Sequence, residues 1–178
     1  MGTVKWGILG AAKIAREQVI PAMKKSKNTE LYAIASREIS KAEDFCHKFS
    51  ITKAYDDYNK LISDPNIDAV YIPLPNHLHV PFSINALKAG KHVLCEKPIS
   101  ITSDEIFELI EVQKETKKIV SEAFMVRFHP QWTETKKLIQ DGEIGKLNAI
   151  QGLFNYFNTD PNNIRNDVRI GGGGILDI

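Results

Sequence analysis

Residues 4–15 read Val-Lys-Trp-Gly-Ile-Leu-Gly-Ala-Ala-Lys-Ile-Ala. The apolar run that ends at Leu9 is typical of a strand buried on both faces. We expect the chain to turn at Gly10 and to continue as a helix from Ile14. A strand, a glycine turn and a helix in this order are typical of a dinucleotide-binding fold, in which a pyrophosphate lies on the backbone N–H groups at the helix N-terminus.

Small residues occupy the positions that such a turn requires. Gly10 permits the tight turn, a small residue at 11 or 12 lets the backbone approach the phosphates, and Ala15 lies where the helix packs against the strand. Gly7 and Gly10 are three residues apart, so the match to Gly-x-Gly-x-x-Gly is loose and a plain strand–turn–helix unit is the alternative. Cofactor contacts are expected at Gly7, Gly10, Ala11, Ala12 and Ile14.

The composition is that of an ordinary globular protein. The 178 residues are 43% hydrophobic and 25% charged, and the formal net charge is +1. This balance gives no reason to expect nucleic acid or a membrane surface as a partner. Any phosphate-binding character must therefore be local.

The cysteines and the N-terminus favour a reducing compartment. Cys46 and Cys95 are far apart and form no Cys-x-x-Cys pair, which disfavours a disulfide framework and a zinc site. The chain enters the first expected strand at once, which leaves no room for a signal peptide. Because no apolar run approaches the ~20 residues that span a bilayer, we expect a cytoplasmic protein.

Strand and helix patterns alternate along residues 1–124. Strands are expected at residues 4–9, 31–35, 54–55, 69–72, 92–95 and 119–124. Between them lie helical patterns, of which the first is expected to break or restart at Pro21 and the last to be capped around Ser103. This alternation predicts an α/β fold with a Rossmann doubly wound parallel sheet of about six strands.

The polar residues of interest follow the expected strands. They occupy residues 10–11, 36–37, 73–79 and 96–98. The carboxyl ends of parallel strands meet at one edge of a sheet, and open α/β sheets bind ligands beyond that edge. We therefore expect these four segments to converge on one ligand site.

The character of the sequence changes after residue 124. A helical pattern at residues 131–140 is followed by a β-prone stretch at 147–157 without an obvious partner strand, and then by a glycine run at 171–174. Because an isolated long strand is not stable in water, we expect residues 125–178 to be the incomplete start of a second, α+β domain.

The end of the second strand is expected to select the cofactor. NAD enzymes usually place an acidic residue there, whereas an arginine accommodates the 2′-phosphate of NADP. This chain has Ser36 and Arg37, with Lys41 one turn into the next helix and Glu38 between them. The pattern predicts NADP(H) contacts at Ser36, Arg37 and Lys41; a solvated surface arginine is the alternative.

Glu96-Lys97-Pro98 follows a buried strand on the same edge. Pro98 restricts Lys97 to an extended conformation, and a lysine in a closed cleft can pass a proton to a substrate hydroxyl. On this interpretation Glu96 orients Lys97. A surface ion pair is the alternative reading of the same residues.

The loop after the fourth strand offers two imidazoles and an amide. His77 and His79 have no third ligand at metal-binding spacing nearby, so no metal is expected. Asn76 is expected to cap the next helix while one histidine contacts the cofactor. Contacts in this loop are expected at Pro73, Leu74, Asn76 and His79.

Several motifs together resemble one family, the glucose–fructose oxidoreductase, inositol dehydrogenase and rhizopine-catabolism (Gfo/Idh/MocA) oxidoreductases. Gly-Ile-Leu-Gly at 7–10, Ala-Ser-Arg at 35–37, Pro-Asn-x-x-His at 75–79 and Glu-Lys-Pro at 96–98 resemble its cofactor domain in order and spacing. Glu-Ala-Phe-Met-x-Arg at 122–127 resembles the join to its second domain, and Gly-Gly-Gly-x-Leu-Asp at 172–177 the entry to its active-site helix.

The resemblance implies roles for particular residues. Lys97 matches the catalytic lysine, and Asp177 matches the aspartate of an Asp-x-x-x-His pair whose histidine would fall after residue 178; a capping carboxylate is the alternative for Asp177. Glu96, Arg127 and Arg165 are implied cofactor contacts, although Arg165, like Arg169, is otherwise read as a clamp for an anion or as a solvated cation. The second-domain sheet implies a homo-oligomer.

The implied function is that of an NADP(H)-dependent oxidoreductase. The Ser-Arg pair and the Glu-Ala-Phe-Met segment resemble the NADP-using dihydrodiol, xylose and anhydrofructose oxidoreductases, so hydride exchange with a sugar, polyol or diol is expected. Two alternatives stay open: a dinucleotide-binding regulator without catalysis, and a dehydrogenase that prefers NAD(H).

Overall fold

A parallel sheet runs from Val4 to Glu122. The computed structural model describes residues 2–155, 157–160, 163–170 and 172, and within them six strands form one sheet. The strands are β1 (Val4–Leu9), β2 (Thr29–Ala35), β3 (Lys53–Tyr55), β4 (Ala69–Ile72), β5 (His92–Cys95) and β6 (Val120–Glu122). Neighbouring strands are parallel, in the order β3-β2-β1-β4-β5-β6. The predicted Rossmann sheet is confirmed, and its strand order reverses between β1 and β4.

Helices cover both faces of this sheet. The helices are α1 (Ile20–Lys25), α2 (Ile39–Phe49), α3 (Tyr58–Ile62), α4 (His79–Lys88), α5 (Ser103–Thr116) and α6 (Pro130–Gln140). On one face, Ile20 of α1 and Phe45 of α2 share a core with Ile8; on the other, α3, α4 and α5 share a core with Leu9. Ile8 and Leu9 are both fully buried because successive residues of a strand point to opposite faces. This arrangement explains the continuous apolar run of β1.

The first helix restarts at Pro21 and does not break there. The chain is helical from residue 13 to residue 25, and a π-helical turn, Ala15–Val19, precedes α1. The Ile20 N–H donates to the carbonyl oxygen five residues earlier. Pro21 then lies in the first turn of α1, where its missing N–H is tolerated.

The start of α5 also differs from the expectation. Thr102, rather than Ser103, is the N-cap: its hydroxyl accepts the Glu105 N–H, and the Glu105 carboxylate accepts the Thr102 N–H at 3.2 Å. This reciprocal capping box satisfies two backbone donors at once. The helix therefore begins three residues earlier than residue 106, where the apolar pattern starts.

The residues after β6 are mostly exposed where the structure describes them. A 3-10 turn, Met125–Phe128, leads into α6. The described part of residues 147–157 forms no strand, since no neighbouring strand there supplies hydrogen-bond partners. Leu153 and Phe157 are 87% and 90% exposed. No described helix has the length and apolar character needed to cross a membrane.

Candidate functional site

The glycine turn after β1 excludes larger residues. Gly10 has a φ of +112°, which side chains rarely adopt, and its N–H donates to the Ala35 carbonyl oxygen at 2.9 Å. A Cβ at this position would lie 3.1 Å from Cδ2 of Leu74. Ala11 and Ala12 are half-buried and lead into the first helix. Only small side chains therefore stand beside the helix N-terminus, which fits a phosphate group there.

Gly7 has a packing role. It lies within β1 and pairs with Ala33 on one side and Val70 on the other. A Cβ at Gly7 would approach Cδ2 of Leu61 to 2.5 Å, which is closer than side chains pack. This mid-strand residue therefore makes room for α3, and the turn begins three residues later; the cofactor contact expected at Gly7 stays a prediction.

The end of β2 brings a hydroxyl, two cations and a carboxylate together. Ser36 is buried, and its Oγ accepts the Glu38 N–H at 3.3 Å, whereas Arg37 is exposed. Lys41, in the first turn of α2, donates from Nζ to Oε1 of Glu38 at 2.7 Å. Both of these side chains are more than half exposed. The lysine expected to bind phosphate thus has a carboxylate partner in its own turn of helix.

A small cleft rich in cations lies between the glycine turn and α2. Its volume is about 250 Å³, and its lining is Ala11, Arg16, Lys41, Asp44, Phe45 and Lys48. Three of these side chains are cations and one is an anion, so the cleft attracts anions. We refer to it as the cation cleft. Arg16 and Lys48 were not expected from the sequence, because they are far apart in the chain and only the fold brings them together.

Glu96 is oriented by a buried tyrosine. Tyr71 of β4 has no exposed surface, and its hydroxyl donates to Oε1 of Glu96 at 2.6 Å. Burial, and after it the hydrogen bond to Glu96, raises the pKa of Tyr71 far above its usual range. The hydroxyl therefore remains a donor to Glu96. The sequence did not point to Tyr71, since a tyrosine within an apolar strand is usually a core residue.

The backbone on both sides of Lys97 is fixed. The Glu96 N–H donates to the Ile72 carbonyl oxygen at 3.0 Å, and the Ile99 N–H donates to Oε1 of Glu122 at 2.9 Å. The peptide bond between residues 97 and 98 is cis. Contacts from β4 and from β6 therefore anchor the base of the Lys97 side chain.

His79 is buried between two loops. It is 1% exposed, its Nδ1 lies 2.6 Å from the Pro98 carbonyl oxygen, and its Nε2 lies 2.7 Å from the Leu74 carbonyl oxygen. Because both ring nitrogens face backbone oxygens, His79 links the two loops, and the cofactor contact expected at His79 stays a prediction. Asn76 lies within a 3-10 turn, Asn76–Leu78, and does not occupy its N-cap.

The two histidines of this loop have different environments. His77 is exposed, whereas His79 is buried and used by the backbone. In the part of the chain that the structure describes, no group of three His, Cys, Asp or Glu side chains is arranged to hold a metal ion.

The expected site residues share one edge of the sheet. Segments 10–14, 36–41, 73–79 and 96–98 follow the carboxyl ends of the parallel strands β1, β2, β4 and β5. Three strand spacings separate β2 from β5, which corresponds to about 14 Å along the edge between Arg37 and Lys97. Between them lie the Gly10 turn, the half-buried Ile14 and the buried Pro73. An elongated ligand that reaches from Arg37 to Lys97 would cross the Gly10 turn.

Arg127 lies in the turn after β6. It is exposed, and with Trp132 and Lys136 it lines a cleft of about 370 Å³ beside α6. The cofactor contact that the family resemblance implies for Arg127 stays a prediction.

The charged residues near the chain end are only partly described. Arg165 is exposed within a short 3-10 helix, Ile164–Asn166. The Arg169 guanidinium donates through Nε and Nη2 to the Asp167 carboxylate, at 2.9 and 2.8 Å. Asp177 lies outside the described residues, and its expected role stays a prediction.

A family model matches most of the chain. The Gfo/Idh/MocA model, described as an oxidoreductase family with an NAD-binding Rossmann fold, matches residues 4–124. This range contains all six strands of the described sheet and ends one residue before the Met125–Phe128 turn.

Individual relatives match the chain over nearly its whole length. The uncharacterized oxidoreductase ORF334 of Rhizobium meliloti is 47% identical over 178 residues, which cover 100% of this chain and 53% of the relative. D-xylose 1-dehydrogenase (NADP(+)) 2 of Haloferax volcanii is 37% identical over 174 residues, which cover 97% of this chain and 53% of the relative. The crystal structure of KijD10, a 3-ketoreductase from Actinomadura kijaniata, in complex with NADP and TDP-benzene, has a TM-score of 0.93 at 34% identity and covers 99% of this chain and 54% of that chain. The chain spans about half the length of the relatives it matches.

Proposed function

Because the chain belongs to the Gfo/Idh/MocA family of oxidoreductases, we propose that it provides the NADP(H)-binding part of an enzyme. The proposed reaction is hydride transfer between the nicotinamide and a carbon that bears a hydroxyl or carbonyl group, in a sugar, a polyol or a related diol. The observation that carries the proposal is the single sheet edge shared by the Gly10 turn, the residues after β2 and Lys97.

The end of β2 suits the extra phosphate of NADP. Arg37 and Lys41 are cations beside the hydroxyl of Ser36, and the cation cleft extends this positive region to Arg16. A guanidinium and an ammonium bind a dianionic phosphate, which an acidic residue in place of Arg37 would repel. Two relatives give further support, since the Haloferax volcanii dehydrogenase carries NADP(+) in its name and KijD10 was crystallised with NADP.

The remaining cofactor contacts would come from the loops along the same edge. The backbone N–H groups of residues 10–12 would hold the pyrophosphate at the helix N-terminus. Pro73, Leu74 and Asn76, which follow β4, would line the path from there to the lysine. The absence of a Cβ at Gly10 keeps this path open beside Leu74.

Lys97 is proposed to move the proton of the reaction. The cofactor, when bound, supplies the hydride chemistry. During reduction, Nζ of Lys97 would donate a proton to the substrate carbonyl oxygen, and during oxidation it would accept the proton of the hydroxyl group. Glu96, whose carboxylate accepts a hydrogen bond from Tyr71, provides the carboxylate next to Lys97 in the chain. Asp177, from the segment that follows, is proposed as a further partner of Lys97.

Residues 125–178 are proposed to begin a second domain. Large apolar side chains in this range, among them Leu153 and Phe157, are almost fully exposed, which favours a surface that other parts of a protein cover. The relatives are about twice as long as this chain. We propose that this second domain selects the substrate and forms a homo-oligomer.

Titration of the chain with NADPH and with NADH tests the cofactor assignment. We expect NADPH to bind at least about tenfold more tightly, because an additional charge-assisted contact contributes about 1.5 kcal/mol or more. Nicotinamide fluorescence measures both affinities. Equal affinities, or tighter NADH binding, would favour the NAD-preferring alternative, and no binding of either nucleotide would contradict the proposal. NADPH binding without turnover of any sugar, polyol or diol by the complete gene product would favour the regulator.

Glu38→Gln is expected to tighten NADPH binding about threefold to tenfold and to leave NADH binding unchanged or weaker. The carboxylate of Glu38 accepts a hydrogen bond from Nζ of Lys41 at 2.7 Å and would repel the phosphate. The same fluorescence titration measures the effect. Glu43→Gln, an exposed glutamate on the same helix, is the matched control and is expected to change neither affinity. Weaker NADPH binding by Glu38→Gln would show that the Lys41–Glu38 pair holds α2 in place instead.

A further inference from the structure

The His79 ring contacts two segments of the ligand edge at once. It belongs to the first turn of α4, is 1% exposed, and lies between the carbonyl oxygens of Leu74 and Pro98. The distances of 2.7 and 2.6 Å both lie within hydrogen-bond range. These two oxygens come from loops that follow different strands, β4 and β5.

Each of these loops has its own place in the site. Leu74 contacts the glycine turn, since its Cδ2 would lie 3.1 Å from a Cβ at Gly10. Pro98 directly follows Lys97, so its carbonyl group belongs to the backbone that carries the lysine. The imidazole therefore joins the segment beside the proposed pyrophosphate site to the segment that carries the proposed proton donor.

We propose that His79 is a positioning residue that fixes Lys97 relative to the cofactor-binding loops. This inference rests on the role proposed for Lys97. The ring acts through its N–H groups: a neutral imidazole donates to one carbonyl oxygen at a time, and an imidazolium donates to both. Loss of the ring nitrogens leaves at least one of the two carbonyl groups without its donor in a buried place, so the loops separate or admit water.

The other contacts of the segment make His79 the connecting element. Tyr71 and Ile72 bond Glu96 from within β4, and Glu122 holds the Ile99 N–H, so these contacts do not reach the loop that begins at Pro73. His79 also reaches the loop of Leu74. Supporting residues of this kind keep a reacting group within the small tolerance that catalysis requires.

Two substitutions at His79 and one control test the proposal. His79→Phe keeps a ring but removes both donors, and His79→Gln keeps an amide donor. His47→Gln, at an exposed histidine on α2 that does not line the cation cleft, is the control. The quantities to be measured are kcat and KM of the complete gene product, the NADPH affinity of the chain, and the acetylation rate of Lys97 by mass spectrometry. The acetylation rate of Lys114, an exposed lysine on α5, is the internal reference.

His79→Phe is expected to lower kcat about tenfold to hundredfold with KM and NADPH affinity changed less than about threefold. The acetylation rate of Lys97 relative to that of Lys114 is expected to change at least about threefold. The reason is that the segment that carries Lys97 opens while α5, which carries Lys114, does not. His79→Gln is expected to recover at least half of the loss in log kcat, and His47→Gln to match the unmodified protein.

Several outcomes would overturn the inference. A normal kcat and a normal Lys97 acetylation rate in His79→Phe would do so. A loss in stability that changes the acetylation rates of Lys97 and Lys114 equally would also do so. If His79→Phe does not fold, the Lys97 acetylation rate and kcat of His79→Gln decide by the same criteria. If the unmodified protein neither binds NADPH nor shows turnover, the proposed function fails, while the acetylation ratio still reports whether His79 fixes Lys97.

Discussion

Lys97→Ala is expected to lower kcat of the complete gene product by about 10²- to 10⁴-fold, the usual contribution of a positioned proton donor. The substitution removes the only group at this position that can exchange a proton with a substrate oxygen. The backbone contacts of the neighbouring residues, Glu96 N–H to Ile72 and Ile99 N–H to Glu122, do not involve the lysine side chain. NADPH affinity is therefore expected to stay within about threefold of its original value.

Two further variants separate proton transfer from charge. Lys97→Arg keeps the positive charge, but a guanidinium does not release its proton at neutral pH, so this variant should be about as inactive as Lys97→Ala. Lys114→Ala removes an exposed lysine that pairs with Glu111 on α5 and should leave kcat unchanged. The consumption of NADPH in steady state measures all three. Full activity of Lys97→Ala would identify Lys97 as one half of a surface ion pair, and loss of NADPH binding together with kcat would make its role structural.

Three of the four inner strands could be predicted to the residue, whereas β2 begins at Thr29, two residues before its apolar run at 31–35. β1, β4 and β5 lie inside the sheet, and each has the bounds that its apolar run indicates, Val4–Leu9, Ala69–Ile72 and His92–Cys95. β6 is an edge strand with a single neighbour, and the apolar run at 119–124 overestimates it because pairing with β5 alone sets its length. At Pro21 the helix restarts as α1 after a π-helical turn, and it does not break because the missing N–H group falls in the first turn of α1.

The edge that holds the site was predictable, but most of the contacts within it were not. Parallel pairing alone brings the ends of β1, β2, β4 and β5 together, whatever the side chains are. The bond from Tyr71 to Glu96 joins residues 25 positions apart, and the bond from His79 to Pro98 joins residues 19 apart. A single sequence gives no sign of such pairs. The packing role of Gly7 could not be predicted for the same reason, because its conflict with a larger residue comes from Leu61 on another element.

Arg37→Ala is expected to weaken NADPH binding about tenfold to hundredfold and NADH binding less than about threefold. A charge-assisted hydrogen bond to a phosphate contributes about 1.5–3 kcal/mol, and 1.4 kcal/mol corresponds to a factor of ten in affinity. NADH lacks the 2′-phosphate and therefore loses no such contact. Arg37 is exposed and follows the last residue of β2 by two positions, so its removal should not disturb the core. Titration of both nucleotides by fluorescence measures the two changes.

Salt and a second arginine make this test specific. In the unmodified chain, the difference between NADPH and NADH affinities should shrink as ionic strength rises, because exposed charges are screened. In Arg37→Ala this difference should be smaller and should depend less on ionic strength. Arg169→Ala, which removes an exposed arginine paired with Asp167, should change neither affinity. Unchanged NADPH binding in Arg37→Ala would mean that Arg37 is a solvated cation and that Lys41 and the cation cleft carry any phosphate recognition. Equal weakening of both nucleotides would mean that Arg37 contacts the part that they share, and the assignment of NADP(H) would then lose its main support.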